Sequence, residues 1–347
     1  SSFQGGDYTI SPTVTSGDSS YRVYSIGNFA LSNNSSLTSI SIPEGVVSIG
    51  NGAFETCESL TSISIPESLK KLGDSVFNRC NALIYYTDSD NNKYLGNETN
   101  NYLILVVVAN TTITEFNFPE GCRIISNAAF RNCTNLTSID LPSDITTIGG
   151  FAFSNCSNLS SISIPEGVTE IRSNTFNNCN ALTSISLPTT LTLIGDLAFQ
   201  YCTSLISINI PEGVVDIGSG AFADCSSLAS VTLPASLTEL VIPIYSQSAF
   251  TSCFALKEII LEGNIETIDS NFFGSCSNLT KLTLGSNVTT LPSNLFTNSN
   301  LTNLTEIVVE AGSSLSAALP PYGTWVKDGG STVTSFSGAG TYTRTDV

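Results

Sequence analysis

The chain has 347 residues, with 29 acidic side chains against 12 basic ones and a formal net charge of −17; a phosphate backbone would repel it, and its few cations are scattered, so nucleic acid is excluded as a partner. Histidine is absent, which removes the commonest general base and transition-metal ligand and every Ser-His-Asp or Cys-His pair with them. With 41% hydrophobic residues the chain can bury a large core, and its longest apolar run, Tyr102 to Ala109, is too short to span a bilayer.

Taken in chain order, residues 1–28 are rich in Ser, Thr and Gly with a turn at Ser16-Gly17-Asp18, and predict an N-terminal cap. No apolar leader opens the chain, so any secretion signal is expected to have been removed. Residues 29–310 are governed by one beat. Cys57 and Cys80 are 23 residues apart, as are Cys133, Cys156, Cys179, Cys202 and Cys225 in succession, and Cys253 and Cys276. Three residues before each stands a phenylalanine: Phe54, Phe77, Phe130, Phe153, Phe176, Phe199, Phe222, Phe250 and Phe273. Phe29 and Phe296, with Ser32 and Ser299 in place of the cysteine, extend the series at its two ends.

Within one period, Leu159, Ile162 and Ile164 alternate with serines and end at Pro165, which predicts a short strand closed by a residue that cannot donate to a ladder. Val168, Ile171, Phe176 and Cys179 then carry the chain over the other sides of a coil. A unit so small cannot bury its apolar face alone, but stacked units align identical positions into continuous columns. The expected fold is an α/β-type repeat solenoid of short parallel strands, turns and short helical segments, about a dozen coils and on the order of 55 Å long, with small β caps. The Phe and Cys columns are expected to be structural.

The beat fails twice. The 53 residues between Cys80 and Cys133 predict an insertion at about 85–110, read as a hairpin, and the 28 residues between Cys225 and Cys253 predict a short one at about 240–245. After residue 310 the period stops, and 311–347, with the single tryptophan Trp325, predict a β-hairpin cap or the start of a further module. Trp325 is expected to pack on the last coil.

In-register cysteines on neighbouring coils have parallel Cβ vectors roughly 4.8 Å apart, somewhat beyond the spacing a disulfide prefers, so buried free thiols are favoured over bridges. Cys122 falls where Val168 and Val214 stand in other coils and also reads as core. No Cys-x-x-Cys occurs, and no metal or cofactor is expected. Glu44, Glu67, Glu120, Glu166 and Glu212 each follow a strand-ending proline and form an acidic edge, read as a solvated surface rather than a Ca²⁺ stripe. Asp88-Ser-Asp90-Asn-Asn92 lacks the Gly and Glu of a calcium loop and reads as a turn.

The recurring Leu-Thr-Ser-Ile-x-Ile-Pro-Glu-Gly-Val-x-x-Ile-Gly-x-x-Ala-Phe-x-x-Cys resembles the 23-residue leucine-rich repeat of the BspA-like type over roughly residues 21–310. Lys93-Tyr94-Leu95-Gly96-Asn97 with Asn101-Tyr102-Leu103 resembles that family's variant coil with a projecting hairpin. The resemblance implies a right-handed leucine-rich repeat superhelix in a secreted or cell-surface protein that binds or adheres without catalysis, its partner an extracellular protein or glycan. A monomer is expected. The alternative is an architectural spacer that holds another domain away from the surface.

Sequence reasoning places a ligand away from the long sheet, whose outward positions (Ser39, Ser41, Ser62, Ser64 and their equivalents) are small and neutral, whereas binding hot spots favour Tyr, Trp and Arg. The candidate ligand-binding residues are Tyr85, Tyr86, Asp88, Asp90, Asn92, Tyr94 and Tyr102, on a loop held by a rigid scaffold. Against this stands the reading that these tyrosines only cover the broken coil.

Overall fold

The computed structural model describes residues 6–237, 239–240, 247–263, 267–268, 276, 278–291, 303–313, 315, 319–320, 323–330 and 332–346. The chain winds into a β-solenoid of about 11 turns. One side of each coil is the Leu-x-x-Ile-x-Ile strand. Ser161–Ser163 pairs parallel with Ser184–Ser186, and Ser207–Asn209 with Ser230–Leu233, each residue opposite its equivalent one coil on. The two-residue alternation turns Ile162 and Ile208 into the core and leaves the serines facing out. A second side carries two-residue strands such as Glu170–Ile171, Leu193–Ile194 and Asp216–Ile217, again parallel and in register.

The third side corrects an expectation: among the described residues there is no helix. Its turns alternate between right- and left-handed backbone, with Asn174 at φ 60° and Asn178 at φ 64° in one coil and Gly52 and Thr56 in another, and a left-handed residue at every fourth position cannot propagate an α-helix. Alternate N–H groups leave the coil instead: Asn174, Phe176 and Asn178 donate to Asp196, Ala198 and Gln200 carbonyls at 2.8–2.9 Å. The intervening residues close local turns, as Cys179 N–H does on Phe176 O at 3.2 Å. Asparagine tolerates the left-handed positions, and it ladders there, Asn155 Nδ2 donating to Asn132 and Asn178 Nδ2 to Asn155 at 2.8 and 3.0 Å.

The rings of Phe130, Phe153, Phe176, Phe199, Phe222 and Phe250 stack nearly parallel with centroids 5.1–5.4 Å apart, and all are fully buried. Phe54 and Phe77 form a separate pair at 5.9 Å. Phe273 and Phe296 lie outside the described residues. Phe29 does not belong to the column: Leu31 N–H pairs with Ala53 O, so Leu31 is the equivalent of Phe54, while Phe29 aligns with Gly52, takes a left-handed φ and is 57% exposed. Its ring lies where a Cβ on Gly52 would have to go.

All ten cysteines are unpaired and buried. Their residue type has a sharper cause than size. Eight thiols donate backwards across the stack, as Cys179 Sγ does to Phe153 O and Cys202 Sγ to Phe176 O, at 3.0–3.3 Å in every case. Each S–H is thereby satisfied while the sulfur fills an apolar corner, and all the acceptors but Leu31 O already take the cysteine N–H of their own coil.

The break divides the core into two clusters. Tyr86–Thr87, Lys93–Leu95 and Ile104–Val107 form antiparallel neighbours, after which the parallel order resumes at Ile124–Ile125 and Thr147–Ile148. The second-side strand Lys71–Leu72 thus ends its sheet, and side chains from beyond the break satisfy its edge. Thr146 and Thr147 donate to Lys70 O, and Arg172, at a position usually held by Gly, donates to Leu72 O at 2.6 Å and Asp74 at 3.2 Å. At the N-terminus, Gly6–Thr9 adds a parallel strand to Leu37–Ser41, and Thr13–Ser16 with Ser19–Arg22 makes a hairpin around Gly17-Asp18. At the other end Gly340–Arg344 and Trp325–Lys327 extend the long sheet antiparallel, with Trp325 buried. The insertion expected at 240–245 falls mostly outside the described residues.

Two outcomes follow from this packing. Phe176→Ala should cost about 3–5 kcal/mol in urea denaturation by opening a cavity between two rings, whereas Phe29→Ala should move the midpoint little. Burial pushes the thiols up, to about 11 for Cys80 and Cys133 and about 12 for Cys122, Cys179, Cys225 and Cys276, with Cys57, Cys156, Cys202 and Cys253 also raised. An unfolded thiol ionises near pH ~8.5, so above that value the unfolded chain loses protons first. Stability is then complete below about pH 8.5 and falls by up to about 1.4 kcal/mol per pH unit for each thiol as pH rises towards the folded values. Urea midpoints measured from pH 7 to 11 should drop steeply above pH ~9, and a flat profile would contradict buried, reduced thiols.

Candidate functional site

The long sheet faces outward with serines, and near the N-terminus that face is walled. Asp7 and Thr9 pair with Ser39 and Ser41, which pair in turn with Ser62 and Ser64, so two polar rows run across three strands. Beyond the last strand the chain leaves the coil: Ile65 N–H donates to Gly96 O, and Asn97 Nδ2 donates back to Ile65 O. That anchorage raises Gly96–Thr99 and Tyr86 beside the sheet. The result is a groove of about 680 Å³ with Ser39, Ser41, Ser62 and Ser64 on its floor. Tyr86, 40% exposed, borders it with Asp7, Glu44 and Glu98, whereas Tyr8, in register with the buried Ile40, turns its ring to the other face of the sheet; among the described residues no Lys or Arg lines the groove.

Asp7 is held in place by Ser39 and Thr38 hydroxyls at 2.6 and 3.1 Å, which keep its carboxyl below the usual carboxylate range. Glu44 is also committed, receiving the N–H groups of Glu67 and Ser68 from the next coil. The same device recurs at Glu166, whose carboxylate takes Thr189 N–H at 3.0 Å and is lowered chiefly by it, and at Glu212, which takes Ala235 N–H. The acidic edge is therefore more than solvated surface, since its carboxylates bridge successive coils.

The structure separates the seven candidate residues. Tyr86 lines the groove and Asp90 is exposed at the hairpin tip. The rest build the hairpin. Asp88 accepts from the N–H groups of Asp90 and Asn92, from Asn92 Nδ2 and from the hydroxyl of the fully buried Tyr94 at 2.8–3.0 Å. Burial pushes the Asp88 carboxyl up, but these bonds outweigh it and leave it below the ordinary value. Asn92 is buried and its Oδ1 takes Ala109 N–H. Tyr102 packs edge-on against Tyr94 at 5.0 Å, and Tyr85 is half-buried with the Lys93 ammonium 5.2 Å over its ring. Asp7 and Glu98 lie outside the periodic pattern, and their only sequence signal is the alternation Asp7-Tyr8-Thr9, which matches Ser39-Ile40-Ser41 and sets Asp7 with the serines and Tyr8 with Ile40. Among the described residues no group of three His, Cys, Asp or Glu could hold a metal ion.

Stacked parallel strands, an in-register Phe and Cys ladder and a 23-residue period define a leucine-rich repeat solenoid. The repeat model described as BspA type Leucine rich repeat region (6 copies) matches residues 11–104, 107–225 and 192–311. The chain belongs to the BspA-type leucine-rich repeat family. It is similar to a leucine-rich repeat protein from Bacteroides ovatus, 27% identical over 89% of this chain and 82% of that one, with a TM-score of 0.45. It is also similar to a leucine rich cell surface protein from Faecalibacterium prausnitzii (27% identical, 88% of each chain, TM-score 0.33) and to the pneumococcal vaccine antigen PcpA (19%, 90% and 88%, TM-score 0.42). No curated protein matches the sequence.

Since Asp88 satisfies the buried Tyr94 hydroxyl and the Asn92 amide, Asp88→Ala should lower stability by about 1–3 kcal/mol. Thermal melting checks this, and an unchanged melting temperature would assign the hairpin no structural part.

Proposed function

We propose that the chain is a non-catalytic recognition module displayed outside the cell, and that it takes an extracellular protein or glycan partner in the groove between Gly6–Thr9 and the hairpin. The single observation that carries this reading is the exposed Tyr86 beside a concave, hydroxyl-floored surface that Asp7, Glu44 and Glu98 also border. Tyrosine supplies large amphipathic contact area at low entropic cost, and the rigid coils beneath keep the Tyr86 ring and the serine rows in place. Family membership supports a binding or adhesion role, and among the described residues no helix is long and apolar enough to cross a membrane.

An array of extracellular-matrix proteins and glycans, probed with the wild-type chain, Tyr86→Ala and Ser41→Trp, tests it. A central anchor is worth about 2 kcal/mol or more, so both variants should lose at least about tenfold in affinity with an unchanged melting temperature. If both bind normally while Ser161→Trp and Ser184→Trp do not, the partner sits on the later sheet face and the groove reading fails.

A further inference from the structure

Among the described residues the turn ladder that joins the coils stops with its donors facing outward after the turn of Phe77. Gly52, Phe54 and Thr56 N–H donate to Asp74, Val76 and Asn78 carbonyls at 2.7–3.1 Å, and the pattern resumes with Ala128, Phe130 and Asn132 donating to Gly150, Ala152 and Ser154. Between them, the equivalent amides of Ser75, Phe77 and Arg79 meet no acceptor among the described residues. The insertion routes the chain through antiparallel strands at the place where the next turn would lie.

The ring column is interrupted at the same point. Phe54 and the rings from Phe130 to Phe250 are fully buried, but Phe77 is only half-buried, covered by Phe54 on one side. Beside it lies a cavity of about 200 Å³ lined by Leu72, Val76, Phe77, Tyr85, Val106 and Ser126. One missing turn thus leaves both an aromatic-sized space and a row of parallel donors.

We propose that this break is a second binding site, separate from the groove, for a peptide segment that presents one aromatic side chain and neutral carbonyls at alternate residues in the turn conformation of the repeat itself. The neighbouring coils show the complement each element accepts: a ring over the ring, and carbonyls on the three amides. Parallel amides in such a turn also suit an anion. The lining decides against it, because an anion would face the apolar Leu72, Val76, Phe77 and Val106 in a chain whose net charge of −17 repels it. A peptide carbonyl supplies the acceptor without that repulsion, and the apolar lining rewards the aromatic group.

The probe is a synthetic peptide spanning residues 173–180 with Cys179→Ser, titrated into the isotope-labelled full chain. Saturable shifts are expected at the amides of Ser75, Phe77 and Arg79. A peptide carrying Phe176→Ala should bind at least about tenfold more weakly, from the lost ring burial. Val106→Trp in the protein, which fills the cavity, should abolish the shifts. In the free chain these three amides should exchange with solvent far faster than those of Gly52, Phe54 and Thr56. The proposal is overturned by equal protection of the two sets, by equal binding of the ring-less peptide, by shifts confined to the groove, or by the same shifts arising on concentration without peptide, which would assign the cavity to a second copy of the chain.

Discussion

The whole molecule depends on the transfer of alternate backbone N–H groups from one coil's turn to the carbonyls of the next. That transfer requires left-handed residues at two positions per turn, as at Asn174 and Asn178, each a strained choice for an L-amino acid and most tolerable for Asn or Gly. Away from the break the coil accepts the strain because the N–H groups so aimed find carbonyls already in place one coil on. The Phe stack, the backward-donating thiols and the Glu carboxylates all repeat the same vector, linking residue i to an equivalent one period away. Since each coil touches mainly its neighbours, register is enforced locally, coil by coil.

Breaking that transfer is what gives this solenoid its distinctive surface. The insertion between Cys80 and Cys133 turns strands antiparallel and leaves the edge of Lys71–Leu72 to be satisfied by Thr146, Thr147 and Arg172. Arg172 does this from a site where other coils carry Gly195 or Gly218, whose Cβ would meet the preceding coil's backbone at 2.5–2.7 Å. The same insertion raises Tyr86 and Gly96–Thr99 beside the serine face and makes a groove where a regular coil would leave a plane. One irregularity therefore produces the wall of the groove and the open end of the ladder together.

The hairpin shows why a chemically suggestive loop can be structural. Asp88, Asn92, Tyr94 and Tyr102 have the composition of a binding loop, yet the polar atoms of the first three bond within the hairpin, Tyr102 packs its ring on Tyr94, and Tyr94 is buried among residues of the resumed core. The tyrosine left outward, Tyr86, lies beside a groove that it shares with Asp7, about eighty positions earlier in the chain.

The sequence by itself determined the period, the parallel strands with Ile in and Ser out, the columns of Phe and Cys and the place of the break, because each follows from a local pattern repeated at constant spacing. It did not determine the form of the third side. Helix and alternating turn both bury Ala, Phe and Cys, and only the pairing of N–H groups with the next coil selects the turn. Nor did it align Phe29, since a 25-residue offset to Phe54 suggested the same column until the ladder set Leu31 there. The groove was decided by tertiary structure alone, as its floor comes from three strands and its walls from the N-terminal cap and the insertion. No periodic signal connects Asp7 to Tyr86 and Glu98; packing of the cap and the hairpin against the same sheet brings them together.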